Sequence, residues 1–223
     1  DKVEDRDRED KGAGSEHRMI SRTSRFHNRF GSLYVVSGPS ASGKTTILRN
    51  ICSEKDVWFS VSATTRTERP KEVDGHDYFF MTEEEFRADI KKDKFFEYAT
   101  VHGNLYGTPR EPVMERLRKG INVALDIDVQ GARQVRESFN NAILIYILPP
   151  SREVLEQRLR GRGTESEESI KTRLEVADSE VRESRLFNYL IVNDDLDDSV
   201  EDMKCIMRAR SLAMPDGGVL EKW

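Results

Sequence analysis

Residues 38–45 read Gly38-Pro39-Ser40-Ala41-Ser42-Gly43-Lys44-Thr45 and fit the pattern GxxxxGK[ST] in full. The chemistry open to such a run is the holding of a polyphosphate. Backbone N–H groups between its two glycines can face a concave nest for phosphate oxygens. Lys44 supplies a point charge for the β and γ phosphates, and Thr45 offers a hydroxyl directly to Mg²⁺. The ATP-binding run extends to Thr46. A second oxygen donor, Asp126, lies in LDID (125–128) at the end of an apolar run and would meet the same ion through water. Phosphoryl transfer also spreads negative charge that cations must neutralise. Two arginine groups are available: Arg66 and Arg69 in TTRTERP, and Arg158, Arg162 and Arg173 in QRLRGRGTESEESIKTR. Composition alone reads those arginines as a solvated basic face paired with nearby acids.

These residues need elements to position them. LYVVS at 33–37 is a short apolar run that predicts a buried strand, and Ile47, Leu48 and Ile51 recur at helical spacing behind the glycine-rich turn. The helix beginning near Lys44 would point its positive end at the phosphates. Further buried strands are expected at 121–128 (INVALDID), 143–148 (ILIYIL) and 189–193 (YLIVN). A charged helical region, 151–185, is broken at Gly161 and Gly163, and a last helix runs near 196–212 on Val200, Met203, Ile206 and Met207. Strand and helix in alternation predict an α/β fold, a parallel sheet covered by helices, with ligands at the strands' carboxyl ends.

The region 57–110 has a different texture. VWF can open a strand, RTERPKEVDGHDYFF is loop-like around a turn at Asp74-Gly75, and Thr82 with Glu85 forms a capping box before Phe86 and Ile90. Thr108-Pro109-Arg110-Glu111 reads as a second helix start, with Thr108 as cap. Residues 1–29 alternate acids and bases with few apolar anchors, and are expected to be a disordered extension. The alternative is that 19–29 packs on the body through Met19, Ile20 and Phe26.

Bulk properties exclude several classes. The 223 residues suffice for one good core with smaller inserts. A net charge of −5 argues against a dedicated nucleic-acid binder. No run approaches the ~18 apolar residues of a spanning helix. The charged opening residues do not resemble a signal peptide, so the expected location is the cytoplasm. Cys52 and Cys205 form neither a metal nor a disulfide pattern, and His17, His27, His76 and His102 have no ligand spacing. Cys52 reads as a small buried residue near the apolar face of the first helix. Trp58 and Trp223 read as packing residues.

At this level of detail the chain resembles the guanylate kinases. The resemblance is carried by VSGPSASGKTT, SVSATTRTERPKEVDGHDYFF, FFEYATVHGNLYGTPR, LDIDVQGARQVR, ILPPS, LRGRGTESEESIKTR and YLIVNDD, in order, across 33–210. It implies a P-loop nucleotide kinase that phosphorylates GMP to GDP with ATP and Mg²⁺. It also implies a core (30–60, 111–151 and 181–212), a GMP-binding insert (61–110) and a mobile lid (152–180) within a domain spanning 30–223. The GMP phosphate would be held by Arg66, Arg69, Tyr78 and Tyr106, and guanine by Ser62, Glu97, Thr108 and Asp128. Arg158, Arg162 and Arg173 would meet the ATP phosphates, and Asn193 would lie near the adenine. Lys44, Arg66, Arg158, Arg162 and Arg173 are the implied catalytic cations. The chemistry agrees: arginine and tyrosine donors suit a phosphate monoester, and carboxylates suit the N1–H and N2–H donors of guanine. Thr108 is left with two roles, helix cap or base contact. Monomer and symmetric dimer stay open as assembly states. Two rivals are a non-catalytic interaction module and a kinase for another acceptor; the presence of Lys44, Thr45, Arg66, Arg69, Glu97 and Asp128 weighs against the first. Ala41 stands where many family members place glycine, and strains the loop if that position requires φ > 0.

Overall fold

The computed structural model describes residues 30–54, 57–101, 103–161 and 166–213. The expectations for the 1–29 extension, Arg162, Trp223 and the histidines 17, 27 and 102 lie outside them.

The main sheet has five parallel strands in the order β2 (Val57–Phe59), β7 (Asn122–Asp126), β1 (Leu33–Ser37), β8 (Ile143–Leu148) and β9 (Tyr189–Val192). Its apolar runs do not alternate with polar residues because both faces are covered. Side chains along a strand point to opposite faces, and β1 divides accordingly. Tyr34 and Val36 join Ile47, Leu48 and Ile51 of α1 (Lys44–Glu54) and Val200, Met203 and Ile206 of α7 (Leu196–Ser211). Leu33 and Val35 join Val113 and Leu117 of α3 (Arg110–Arg118) and Ala132 and Val135 of α4 (Val129–Ser138). Cys52 is half-buried against the first cluster and Trp58 against the second. The Arg116 guanidinium lies 4.4 Å from the Trp58 ring centre, consistent with a packing role for this tryptophan.

A second sheet has the order β4 (Phe79–Phe80), β3 (Ala63–Thr64), β6 (Asn104–Pro109) and β5 (Phe95–Val101). Helix α2 (Glu83–Lys91) buries Phe86 against Phe95, with stacked rings 4.3 Å apart. The capping box forms as the sequence suggests: the Thr82 hydroxyl accepts from the Glu85 N–H, and the Glu85 carboxylate accepts from the Thr82 N–H. The charged region resolves into α5 (Arg152–Gly161) and α6 (Glu167–Glu183), followed by a single 3₁₀ turn at Ser184–Leu186. Leu155, Leu159, Ile170, Leu174 and Ala177 close a small core of their own between these two helices.

Three sequence expectations are corrected. Thr108 does not cap α3; the helix starts at Arg110 with Pro109 at the cap position and no side-chain cap bond. Thr108 is fully buried within β6, directly opposite Glu97 of β5, and its hydroxyl donates to that carboxylate. Strand pairing sets the Thr108 hydroxyl beside Glu97, and a charge-assisted bond holds it there. The strand expected over 121–128 ends at Asp126, because Asp128 turns to cap α4 and accepts from the Gly131 N–H. The strand expected to end at Asn193 stops at Val192.

Candidate active site

The phosphate loop leaves β1 at the centre of the sheet, where the neighbouring strands lead away on either side and a crevice opens at their carboxyl ends. Gly43 has φ +100, and a β-carbon there would stand 2.0 Å from the Asn193 amide nitrogen, so only glycine fits. That amide donates to the Ser42 carbonyl at 2.7 Å, its oxygen accepts from the Ser199 hydroxyl, and the Asn193 carbonyl accepts from Arg158 at 2.9 Å. Buried Asn193 therefore spends its side chain on supporting the loop. Lys44 Nζ folds back to donate to the Gly38 and Pro39 carbonyls at 2.6 and 3.0 Å. Arg173 reaches across from α6 to donate to the Ser40 hydroxyl at 3.0 Å. Thr46 is exposed on the first turn of α1.

β7 lies beside β1 with Val36 opposite Asp126, which brings the acid to the loop. The Thr45 hydroxyl donates to Asp126 Oδ2 at 3.2 Å. A hydroxyl and a carboxylate oxygen side by side at the end of a phosphate loop are the hard, neutral-plus-anionic donor set that Mg²⁺ takes alongside phosphate oxygens and water.

Most of the other predicted residues lie on the second sheet or in the segment between β3 and β4. Arg66 Nη2 donates to both oxygens of Glu72 at 2.8 and 3.0 Å, and Nη1 donates to the Thr67 carbonyl at 2.7 Å. The Glu72 fork holds the Arg66 guanidinium even more firmly protonated than usual, and Arg66 in turn holds the Glu72 carboxyl below the ordinary range. The Arg69 N–H also donates to Glu72, at 2.8 Å, while the Arg69 residue is exposed. The Tyr78 and Tyr106 rings meet edge to face, 6.0 Å apart, and the Arg66 guanidinium lies 5.4 Å from the Tyr78 ring centre. Burial pushes the Tyr78 phenol up, with the charge of Asp126 among the smaller causes, so the two sides of the crevice sense one another. Ser62 sits half-buried where its carbonyl accepts from the Phe79 N–H.

Glu97 is the most perturbed carboxylate of the group. It is only 4 % exposed, and burial pushes it up to about 7, with the Thr108 hydroxyl bond at 2.6 Å and the negative charge of Asp128 as lesser, opposing influences. Asp128 is likewise raised by burial and partly restored by the Gly131 and Gln130 backbone N–H groups. Two carboxyls both raised by burial, with the charge of Asp128 felt at Glu97, are an arrangement found at functional sites.

The guanylate kinase family model matches residues 30–210. The chain belongs to the guanylate kinase family. It is 48 % identical over 179 residues to the guanylate kinase of Clostridium tetani, covering 80 % of this chain and 86 % of that protein. With the guanylate kinase of Carboxydothermus hydrogenoformans it shares 43 % over 201 residues, 86 % and 98 % of the two chains. The crystal structure of guanylate kinase from Anaplasma phagocytophilum superposes with a TM-score of 0.69 at 32 % identity, over 85 % of this chain and 90 % of the other.

Three residues of this family member escaped the sequence reading. Glu72 orders the arginine pair. Glu180 on α6 is a partly buried carboxyl, raised by burial and reached by the charge of Lys44. Gly131 stands where a β-carbon would lie 2.4 Å from Glu97 Oε2. A glycine within a helical pattern was the available signal for the last; Glu72 and Glu180 sit among many acids, and nothing local marks them.

Proposed function

We propose that this guanylate kinase transfers the γ-phosphoryl group of ATP to GMP, giving ADP and GDP, with residues 61–110 as the GMP-binding insert and 152–180 as the lid. The attacking atom is a phosphate oxygen of GMP; the bond that forms joins it to the γ-phosphorus, and the bond that breaks joins that phosphorus to the β–γ bridging oxygen. The monoester is mostly dianionic at neutral pH, so the nucleophile needs no general base. Positioning and charge neutralisation are then the protein's whole task. Lys44 releases its loop carbonyls to meet the β and γ phosphates. Arg158, Arg162 and Arg173 approach from the lid, and Asn193 keeps the loop in shape beneath ATP. Thr45 directly and Asp126 through water would hold Mg²⁺, which would supply charge neutralisation at the triphosphate.

On the acceptor side Arg66, Arg69, Tyr78 and Tyr106 clasp the GMP phosphate. Ser62, Glu97, Thr108 and Asp128 receive the base. The observation that carries the reading is buried Glu97, bonded to Thr108 and within reach of the charge of Asp128. An ionised carboxylate pairs with guanine N1–H and N2–H but meets a lone pair at adenine N1. The mismatch leaves buried polar groups unpaired, at about 1–3 kcal/mol each.

The deciding experiment measures kcat/KM for GMP and AMP at saturating ATP in wild type, Glu97→Gln and Asp128→Asn. Wild type should prefer GMP by a factor on the order of a thousand, and each variant should lose GMP efficiency with little change in KM for ATP. Equal use of AMP and GMP by wild type would refute the guanine reading. Full preference in both variants would remove these two acids from it.

A further inference from the structure

Ala41 is one of three non-glycine residues with positive φ among the described residues, at +69°, and the one that lies in the phosphate loop. A β-carbon is disfavoured in that conformation, and glycine would adopt it freely. The same methyl is packed. The small core of Leu155, Leu159, Ile170, Leu174 and Ala177 between α5 and α6 is separate from the clusters on the two faces of the main sheet. Among the described residues, Ala41 is the apolar residue from outside those helices that packs against it. Its neighbours tie down the same helices by polar contacts. Ser40 accepts from Arg173 of α6, and Ser42 is linked through Asn193 to Arg158 of α5.

We propose that Ala41 is a positioning residue whose methyl seats the α5–α6 pair on the phosphate loop, registering Arg158 and Arg173 over the triphosphate before nucleotide arrives. Polar contacts alone would leave the two helices free to rock about Ser40 and Asn193, because each bond can be exchanged for one to water. An apolar contact cannot be so exchanged, and it lies between the two polar ones. The disfavoured backbone of Ala41 is therefore offset by a contact that only a β-carbon can make.

The proposal rests on the functional reading for its view of ATP, but its test has an arm that does not. The variant is Ala41→Gly in the full chain, which relaxes the backbone and deletes only the methyl. Hydrogen exchange of ligand-free protein should quicken in 152–161 and 166–183 by about two- to fourfold, the upper end being the equivalent of about 0.8 kcal/mol for a fully buried methyl, whereas Ala41 is partly buried, with β1 and β8 unchanged. KM for ATP should rise by a similar factor while KM for GMP stays within about twofold. The melting temperature should hold or rise, since glycine suits the loop. Unchanged or slower exchange in the two helices, or an unchanged or lower KM for ATP, overturns the proposal and leaves Ala41 as a strained substitution. If wild type fails to phosphorylate GMP, the functional reading falls, while the exchange measurement still tests the seating.

Discussion

Replacing Gly131 by alanine puts a single methyl against Glu97 in the proposed base site, and its consequence can be worked from distances. The new β-carbon would stand 2.4 Å from Glu97 Oε2, 3.0 Å from the carboxyl carbon and 3.3 Å from Ile127 Cδ1. Contact between non-bonded atoms begins near 3.5 Å, so the carboxylate must retreat by about 1 Å. It has little room, being 4 % exposed and held by Thr108 at 2.6 Å. A displacement of that size at a positioning group can cost on the order of a hundredfold. Loss of one charge-assisted bond to the base gives about 1.5–3 kcal/mol, or roughly ten- to hundredfold. The expected result for Gly131→Ala is therefore a ten- to hundredfold fall in kcat/KM for GMP. KM for ATP should stay within about twofold, because the phosphate loop is untouched. Stability should change little, since alanine in a helix offsets up to about 1 kcal/mol of the crowding. Steady-state kinetics with each nucleotide varied, beside a thermal melt, decides the matter. Undiminished kcat/KM for GMP in a folded variant would show that Glu97 is not pressed against α4 or does not hold the base.

Lys44→Ala should lower turnover by at least about tenfold with Mg²⁺ and ATP saturating; near-normal turnover removes Lys44 from the transfer. Thr108→Val should cost about tenfold in kcat/KM for GMP by removing the hydroxyl donor of a buried carboxylate and leaving only the backbone one, and a pH profile shifted upward distinguishes this from simple loss of packing. Glu97 must be ionised to accept from guanine, so kcat/KM for GMP should fall as pH drops through about 7, and the step should vanish in Glu97→Gln. In the ligand-free protein the sign for stability is opposite. The raised group binds its proton more tightly folded than unfolded, so its contribution is full below the ordinary carboxylate pKa and is lost as pH rises through about 7. Melts of wild type against Glu97→Gln over that window check the direction.

Local chemistry made much of this protein legible before any coordinates. The strand at 33–37 and the glycine-rich turn declare themselves because a buried parallel strand must be apolar throughout and a phosphate nest needs glycine and a helix start at fixed spacing. The capping box at Thr82 and Glu85 is equally local, three residues long and self-contained. Thr108 shows the limit. Its neighbours spell a helix start, yet its partner is eleven positions away across a strand pair, and pairing register is set by tertiary contacts. Asp126 and Thr45 are 81 positions apart, and only the crossover that lays β7 beside β1 brings them to 3.2 Å. Burial of Glu97, the fork of Glu72 on Arg66, and the closeness of Gly131 to a carboxylate all depend on which surfaces meet, and no window of sequence contains both surfaces. The sequence by itself determined the phosphate loop, the parallel α/β plan and the family. Tertiary structure decided which acid is poised near neutrality, which arginine is clasped, and that the methyl of Ala41 faces the small core between α5 and α6, because charge burial and packing are properties of pairs brought together by the fold.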